Sequence, residues 1–162
     1  WGNNLKNICF GLQKILKIHT DKELIFPLHP NKIVRDPIKK ILKNEKRVHL
    51  IEPLNYIELV YLLKSCQFVI TDSGGLQEEA PTFNKPVLIA RDKTEREEGI
   101  KAGTSKLVGT NPENIFKAAD QLIRDKKLYE EMAESLNPFG DGKASSRILH
   151  ECLNFLKNLK RS

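Results

Sequence analysis

Five short apolar runs, rich in Ile, Val, Leu and Phe, alternate with longer stretches in which apolar residues recur every three or four positions. That alternation is the pattern of repeated strand–helix units, in which each helix crosses over to bring the next strand in parallel to the last. The strands are expected at 23–29, 47–51, 68–71, 86–90 and 105–108; Pro27 places the first near a sheet edge. Crossover helices are expected over 33–43, 56–65 and 76–83, with their lysines left in water. The expected fold class is α/β, a Rossmann-like parallel sheet flanked by helices, and 162 residues make a single domain.

Leu5, Ile8, Cys9, Leu12, Ile15 and Leu16 form one stripe, so the chain opens with an amphipathic helix leading into the first strand, as though a strand before it were missing. Asn111-Pro112-Glu113 starts another helix: Asn caps free N–H groups and Pro suits the first helical position. That helix runs over 111–125, and a short one follows over 127–136. Asn137-Pro138-Phe139-Gly140-Asp141-Gly142 breaks the periodicity. A final helix, 145–160, then carries Ile148, Leu149, Cys152, Phe155, Leu156 and Leu159 on one face, suited to packing on another domain.

Composition removes several function classes. No run approaches the roughly 18 apolar residues of a membrane-spanning helix, and the first 30 residues lack a signal-peptide core. The charge balance is 27 basic against 21 acidic residues, yet aromatics are only 7% and no nucleic-acid-binding signature stands out, so the surplus reads as a lysine-rich solvated surface. Cys9, Cys66 and Cys152 are odd in number and lie in apolar contexts, as buried free thiols in a cytoplasmic protein would. His19, His29, His49 and His150 are scattered without metal-ligand spacing, so neither a metal nor a cofactor is expected. Ser73 lacks the surroundings of a nucleophile elbow.

The segment from Phe68 to Pro81, FVITDSGGLQEEAP, carries the chemistry: a strand ends at Thr71-Asp72 and a Ser-Gly-Gly turn feeds a helix. In an open parallel sheet, ligands bind beyond the carboxyl ends of the strands, where a starting helix offers unpaired N–H groups to an anion. Gly74 and Gly75 let an anion approach the backbone, and Ser73 adds a hydroxyl, which together suit a diphosphate. Glu78 or Glu79, one turn on, is placed to accept hydrogen bonds from vicinal sugar hydroxyls. On spacing alone, the same residues equally make a plain tight strand–helix turn with a favourable acidic pair near the helix start.

Thr71–Pro81 (TDSGGLQEEAP), Lys85-Pro86-Val87-Leu88 and Arg91-Asp92-Lys93-Thr94-Glu95-Arg96 together resemble the non-hydrolysing UDP-N-acetylglucosamine 2-epimerases. The likeness extends from Leu28-His29-Pro30-Asn31 and Pro53-Leu54-Asn55-Tyr56 to Ala102-Gly103-Thr104, Leu107-Val108-Gly109-Thr110, 137–142 and Ser146-Arg147-Ile148, almost the whole chain. The resemblance implies the C-terminal half of a glycosyltransferase-B-like enzyme that interconverts UDP-N-acetylglucosamine and UDP-N-acetylmannosamine, an isomerase serving cell-surface polysaccharide synthesis. By position, Ser73, Gly74 and Gly75 would contact the diphosphate, Glu79 the ribose and Arg96 the nucleotide and diphosphate. His29 is a weaker substrate-contact candidate and equally a structural residue.

The family reaction eliminates UDP across the C1–C2 bond of the sugar and adds it back with C2 inverted, which needs acid–base groups and stabilisation of the leaving diphosphate. The resemblance assigns the second task to this half. The family's His-Arg-Arg-Glu-Asn motif is followed by an aromatic residue and Gly, and this sequence opens on Trp1-Gly2. The catalytic histidine, the acidic residues and the N-terminal domain are therefore expected outside these 162 residues. The expected partners are a UDP-sugar, that N-terminal domain and a second copy in a homodimer. Alternatives are the nucleotide-binding half of a UDP-sugar glycosyltransferase or hydrolysing epimerase, or an inactive stand-alone nucleotide-binding module.

Overall fold

The computed structural model describes residues 2–159. α1 (Gly2–Ile18) leads into β1 (Leu24–Pro27), α2 (Lys32–Leu42), β2 (Val48–Ile51), α3 (Tyr56–Ser65) and β3 (Val69–Thr71). Then follow α4 (Gly74–Glu79) with a 3-10 turn over Ala80–Phe83, β4 (Val87–Ile89), α5 (Glu97–Ala102) and β5 (Ser105–Leu107). α6 (Pro112–Arg124), α7 (Lys126–Glu134) and α8 (Ala144–Leu159) complete the order. All five expected strands form and every pairing between them is parallel, so within each sheet the carboxyl ends share one edge.

The helix starts have local causes. Asn31 caps α2 by accepting from Ile33 N at 2.9 Å, and Asn111 caps α6 by accepting from Glu113 N at 2.8 Å, with Pro112 in the first turn. Asn55 and Glu58 close a reciprocal capping box on α3. Pro81 lies in the 3-10 turn that ends the expected 76–83 helix, and Asn84, left-handed at φ 56°, terminates it.

One apolar cluster joins α1, α2 and α6 to both groups of strands, through Leu12, Leu28, Ile38, Leu88 and Ile115 among others. A second cluster, Leu63, Ala80, Val87 and Ile89, fills the opposite face of β4. The strands do not form one continuous sheet: β1 pairs with β2, and β3-β4-β5 form a separate sheet.

Other expectations change. α5 was not anticipated, because six residues are too few to show a helical period; Gly103 at φ +88° ends it. Cys9 is buried, but Cys66 is only partly covered and Cys152 is exposed, since α8 turns its apolar face to water. On α8, Ile148, Leu149, Phe155 and Leu156 are all exposed; the expected positions Leu159 (side chain) and Lys160 lie outside the described residues. Among the described residues no helix is long and apolar enough to cross a membrane.

Candidate functional site

The carboxyl edge of β3 and β4 gathers the candidate residues. Thr71 ends β3, and its Oγ1 accepts the Ser73 N–H at 3.0 Å, which fixes the turn. Ser73 is the N-cap of α4 by backbone conformation, but its hydroxyl makes no capping hydrogen bond. Gly75, two residues on, is bare on its open side. The position that a Gly75 Cβ would take lies 3.8 Å from Ser73 Oγ and 3.8 Å from Glu79 Oε1, so hydroxyl and carboxylate face one hollow. Glu79 Oε2 is buried and has no hydrogen-bond partner.

Gly74 has a different neighbour. Its missing Cβ makes room for the Arg96 guanidinium, whose Cζ lies 3.0 Å and Nη2 3.1 Å from that position. Arg96 arrives from the β4 exit loop and is held there by three contacts. Its Nε donates to Glu78 Oε1 at 2.9 Å, its Nη1 lies 3.6 Å from Glu95 Oε2, and its backbone N–H donates to Thr94 Oγ1 at 3.1 Å. Backbone hydrogen bonding, with Arg91 and Arg96 nearby, holds the Glu95 carboxyl below its ordinary range, so it stays a counter-charge at neutral pH.

Gln77 and Thr94 were not singled out in the sequence, yet they tie the two loops together. Gln77 is fully buried, and its Oε1 accepts the Thr94 hydroxyl at 2.6 Å, while its Nε2 finds no partner. The link runs α4–Gln77–Thr94–Arg96, setting the β4 exit loop relative to the Ser-Gly-Gly turn. The available signal was a polar residue, Gln77, one turn beyond Gly74, in step with the inward-facing Ala80 and Pro81.

The sequence candidates therefore divide. Ser73, Gly74, Gly75, Glu78, Glu79 and Arg96 meet at one place, as their spacing allowed. Of the two acidic candidates, Glu78 is engaged by Arg96 and Glu79 faces the hollow beside Gly75. His29 lies at the exit of β1 in the other sheet, exposed, and its Nδ1 accepts the Asn31 N–H at 3.1 Å. That contact steadies the cap of α2, which is the structural alternative for His29. Asn55, on the β2 exit, spends its side chain on the α3 cap.

A cluster of one hydroxyl, a bare backbone turn, a guanidinium and a half-buried carboxylate presents donors for an anion next to an acceptor for hydroxyl groups. Comparison with known proteins identifies a family. The family model described as UDP-N-acetylglucosamine 2-epimerase matches residues 1–153. The Bacillus subtilis UDP-N-acetylglucosamine 2-epimerase is 45% identical over 152 residues, covering 94% of this chain and 40% of that protein. The structure of Staphylococcus aureus MnaA with UDP superposes with a TM-score of 0.92 at 46% identity, covering 96% of this chain and 43% of that one. The Neisseria meningitidis UDP-GlcNAc 2-epimerase bound to UDP-GlcNAc gives 0.90 at 44% identity, over 94% and 41%. The chain thus spans about 40% of the length of its curated relatives. It belongs to the UDP-N-acetylglucosamine 2-epimerase family.

Proposed function

We propose that this chain is the nucleotide-gripping half of an isomerase that interconverts UDP-N-acetylglucosamine and UDP-N-acetylmannosamine. The observation that carries the reading is the hollow at Gly75, where Ser73 Oγ and Glu79 Oε1 converge and Glu79 Oε2 is left without a partner. Glu79 Oε1, the oxygen beside Gly75, would accept hydrogen bonds from the vicinal hydroxyls of a ribose. Ser73, the Gly74-Gly75 backbone and Arg96 would hold the diphosphate, with Arg96 exchanging part of its contact with Glu78 for phosphate oxygens. The relatives whose structures contain UDP or UDP-GlcNAc support this ligand class.

In the reaction, the C2 proton leaves to a base, the C1–O bond breaks with its electron pair on UDP, and re-addition with the proton on the other face of C2 completes the inversion. The task of this half is to stabilise negative charge as it gathers on the departing diphosphate. The proton-transfer groups come, on this reading, from an N-terminal domain. The exposed apolar face of α8 is a surface on which that domain or a second copy would pack. The free thiols of Cys9, Cys66 and Cys152 suit the cytoplasm.

The test is calorimetric titration of the folded chain with UDP, repeated on Glu79→Ala and Arg96→Ala. Weakening of about tenfold or more in both variants is the expected result, as for loss of a charge-assisted hydrogen bond. UDP binding that ignores both substitutions refutes the site. A folded chain that binds no UDP refutes the claim that this half carries the grip alone.

A further inference from the structure

α5 is six residues long, and a helix that short has little stability of its own. Arg96, its N-cap by backbone position, makes no side-chain cap for it. Gly99 is the buried residue of α5, while Glu97, Glu98 and Lys101 lie in water. A glycine inside a helix weakens it, so the position answers a need for space. A Cβ there would lie 3.0 Å from Ser105 Oγ and 3.4 Å from Cε2 and Cζ of Phe139. The Gly99 carbonyl also accepts the buried Thr104 hydroxyl at 3.1 Å. α5 is thus seated through its backbone at Gly99, between the start of β5 and the ring of Phe139.

Phe139 belongs to the Asn137-Pro138-Phe139-Gly140-Asp141-Gly142 segment, to which the UDP grip assigns no task. Asn137 braces it twice: its Oδ1 accepts the Phe139 N–H at 3.0 Å, and its Nδ2 donates to Thr82 Oγ1, also at 3.0 Å. Thr82 lies in the 3-10 turn that continues α4. Gly140 at φ +114° and Gly142 at φ +77° then turn the chain toward α8. The segment is therefore a strap, bonded on the α4 side of the site and laying its ring on the helix that starts after Arg96. Phe139 lies in neither apolar cluster of the described residues, so its ring serves α5 rather than the core.

We propose that Phe139 is a positioning residue for Arg96: by seating α5 at Gly99, about one helical turn beyond Arg96, it keeps the guanidinium against Gly74 and Glu78. The Arg96 loop is then fixed on both sides, by the Gln77–Thr94 hydrogen bond before it and by the strap after it. With the ring removed, Thr104 and Ser105 still hold one side of Gly99, but α5 is free to tilt away from them and carries its start with it. Arg96 then spends less time on Glu78. The consequence for a ligand rests on the reading of this chain as the nucleotide grip: a diphosphate would meet a less ordered guanidinium, whose ordering it must supply itself, and would bind more weakly.

The full 162-residue chain is compared with Phe139→Ala, Phe139→Leu, Asn137→Ala, Arg96→Ala and the double variant Phe139→Ala/Arg96→Ala. NMR of the Arg96 Nε–H reads its seat without any ligand. Hydrogen exchange there is expected to quicken about fivefold or more in Phe139→Ala and Asn137→Ala, and to return toward the parent in Phe139→Leu, which refills much of the space. Calorimetry with UDP should show binding weakened about tenfold in Phe139→Ala. The same change should cost less than about twofold when Arg96 is already alanine, because the ring acts through Arg96. A merely structural role lowers affinity by the same factor in both backgrounds and overturns the proposal. Parent-like Arg96 exchange in a folded Phe139→Ala overturns it, as does parent-like UDP affinity there beside a weakened Arg96→Ala. If Phe139→Ala does not fold, parent-like exchange in Asn137→Ala overturns it, and failure of both to fold assigns the strap to stability alone. A parent chain that binds no UDP removes the nucleotide grip, while the Arg96 exchange still decides whether Phe139 holds its seat.

Discussion

Gly74 and Gly75 stand side by side but lack side chains for different reasons. At Gly74 a methyl group would meet the Arg96 guanidinium at 3.0 Å, the movable end of a flexible side chain; at Gly75 it would enter the hollow with its nearest neighbours at 3.8 Å. Gly74→Ala is therefore expected to keep the fold, even gaining roughly 0.5–1 kcal/mol within a helix, while pushing Arg96 aside and weakening UDP binding about tenfold; denaturant titration and calorimetry read the two effects separately. Thr94 and Gln77 make a second residue-scale device. Thr94→Val strands the buried Gln77 Oε1 and should cost about 1–3 kcal/mol, whereas Thr94→Ser keeps the hydrogen bond and should stay close to the parent in urea unfolding.

Among the elements, α1 and α6 approach closely because Gly11 has no side chain: a Cβ there would lie 3.1 Å from Ile115 Cβ and Cγ2 and 3.2 Å from Pro112 O. Backbone and a branched core side chain give way poorly, so Gly11→Ala should cost about 1–3 kcal/mol, seen as a lower unfolding midpoint. Cys9, on the inward stripe of α1, supplies a pH test. Burial pushes its thiol from 9.0 up to about 11. Between those values the unfolded chain has released a proton that the folded chain still holds, so stability falls as pH rises from about 9 to about 11. Urea midpoints at pH 8 and pH 10 should fall further in the parent than in Cys9→Ala; an equal fall in both would show that Cys9 contributes nothing. α8 is the contrary case, an element whose amphipathic period was plain but whose apolar face is covered by nothing among the described residues.

For the whole molecule, strand direction decides where chemistry can occur. The parallel pairing of β3 and β4 puts the Ser73 turn and the Arg96 loop on one edge of their sheet, and they converge into a site that offers anion donors and a hydroxyl acceptor. On the proposed reading the site grips a leaving diphosphate, and the proton transfer at C2 falls to the other half of the enzyme. The 162-residue chain alone is therefore expected to show no epimerisation of UDP-N-acetylglucosamine above a protein-free blank, with NMR of the sugar anomeric proton as the readout. Turnover above the blank would place acid–base groups within these residues.

Periodicity and caps are local properties, so the sequence by itself determined the five strands, the long helices and the polar start at Asn111, while the caps at Asn31 and Asn55 came from the structure. It also placed Ser73, Gly74, Gly75 and Glu79 within about two turns of a helix, because residues that close along the chain cannot be far apart in space. The tertiary structure alone decided which glutamate faces the hollow and which is held by Arg96, because Glu78 and Glu79 differ by about 100° around a helix and only the neighbouring loop distinguishes the two directions. It alone showed Gln77 joined to Thr94 across 17 residues, and Cys152 exposed although its stripe matches that of Cys9. An amphipathic period states that a face is apolar, but what covers that face depends on distant parts of the chain.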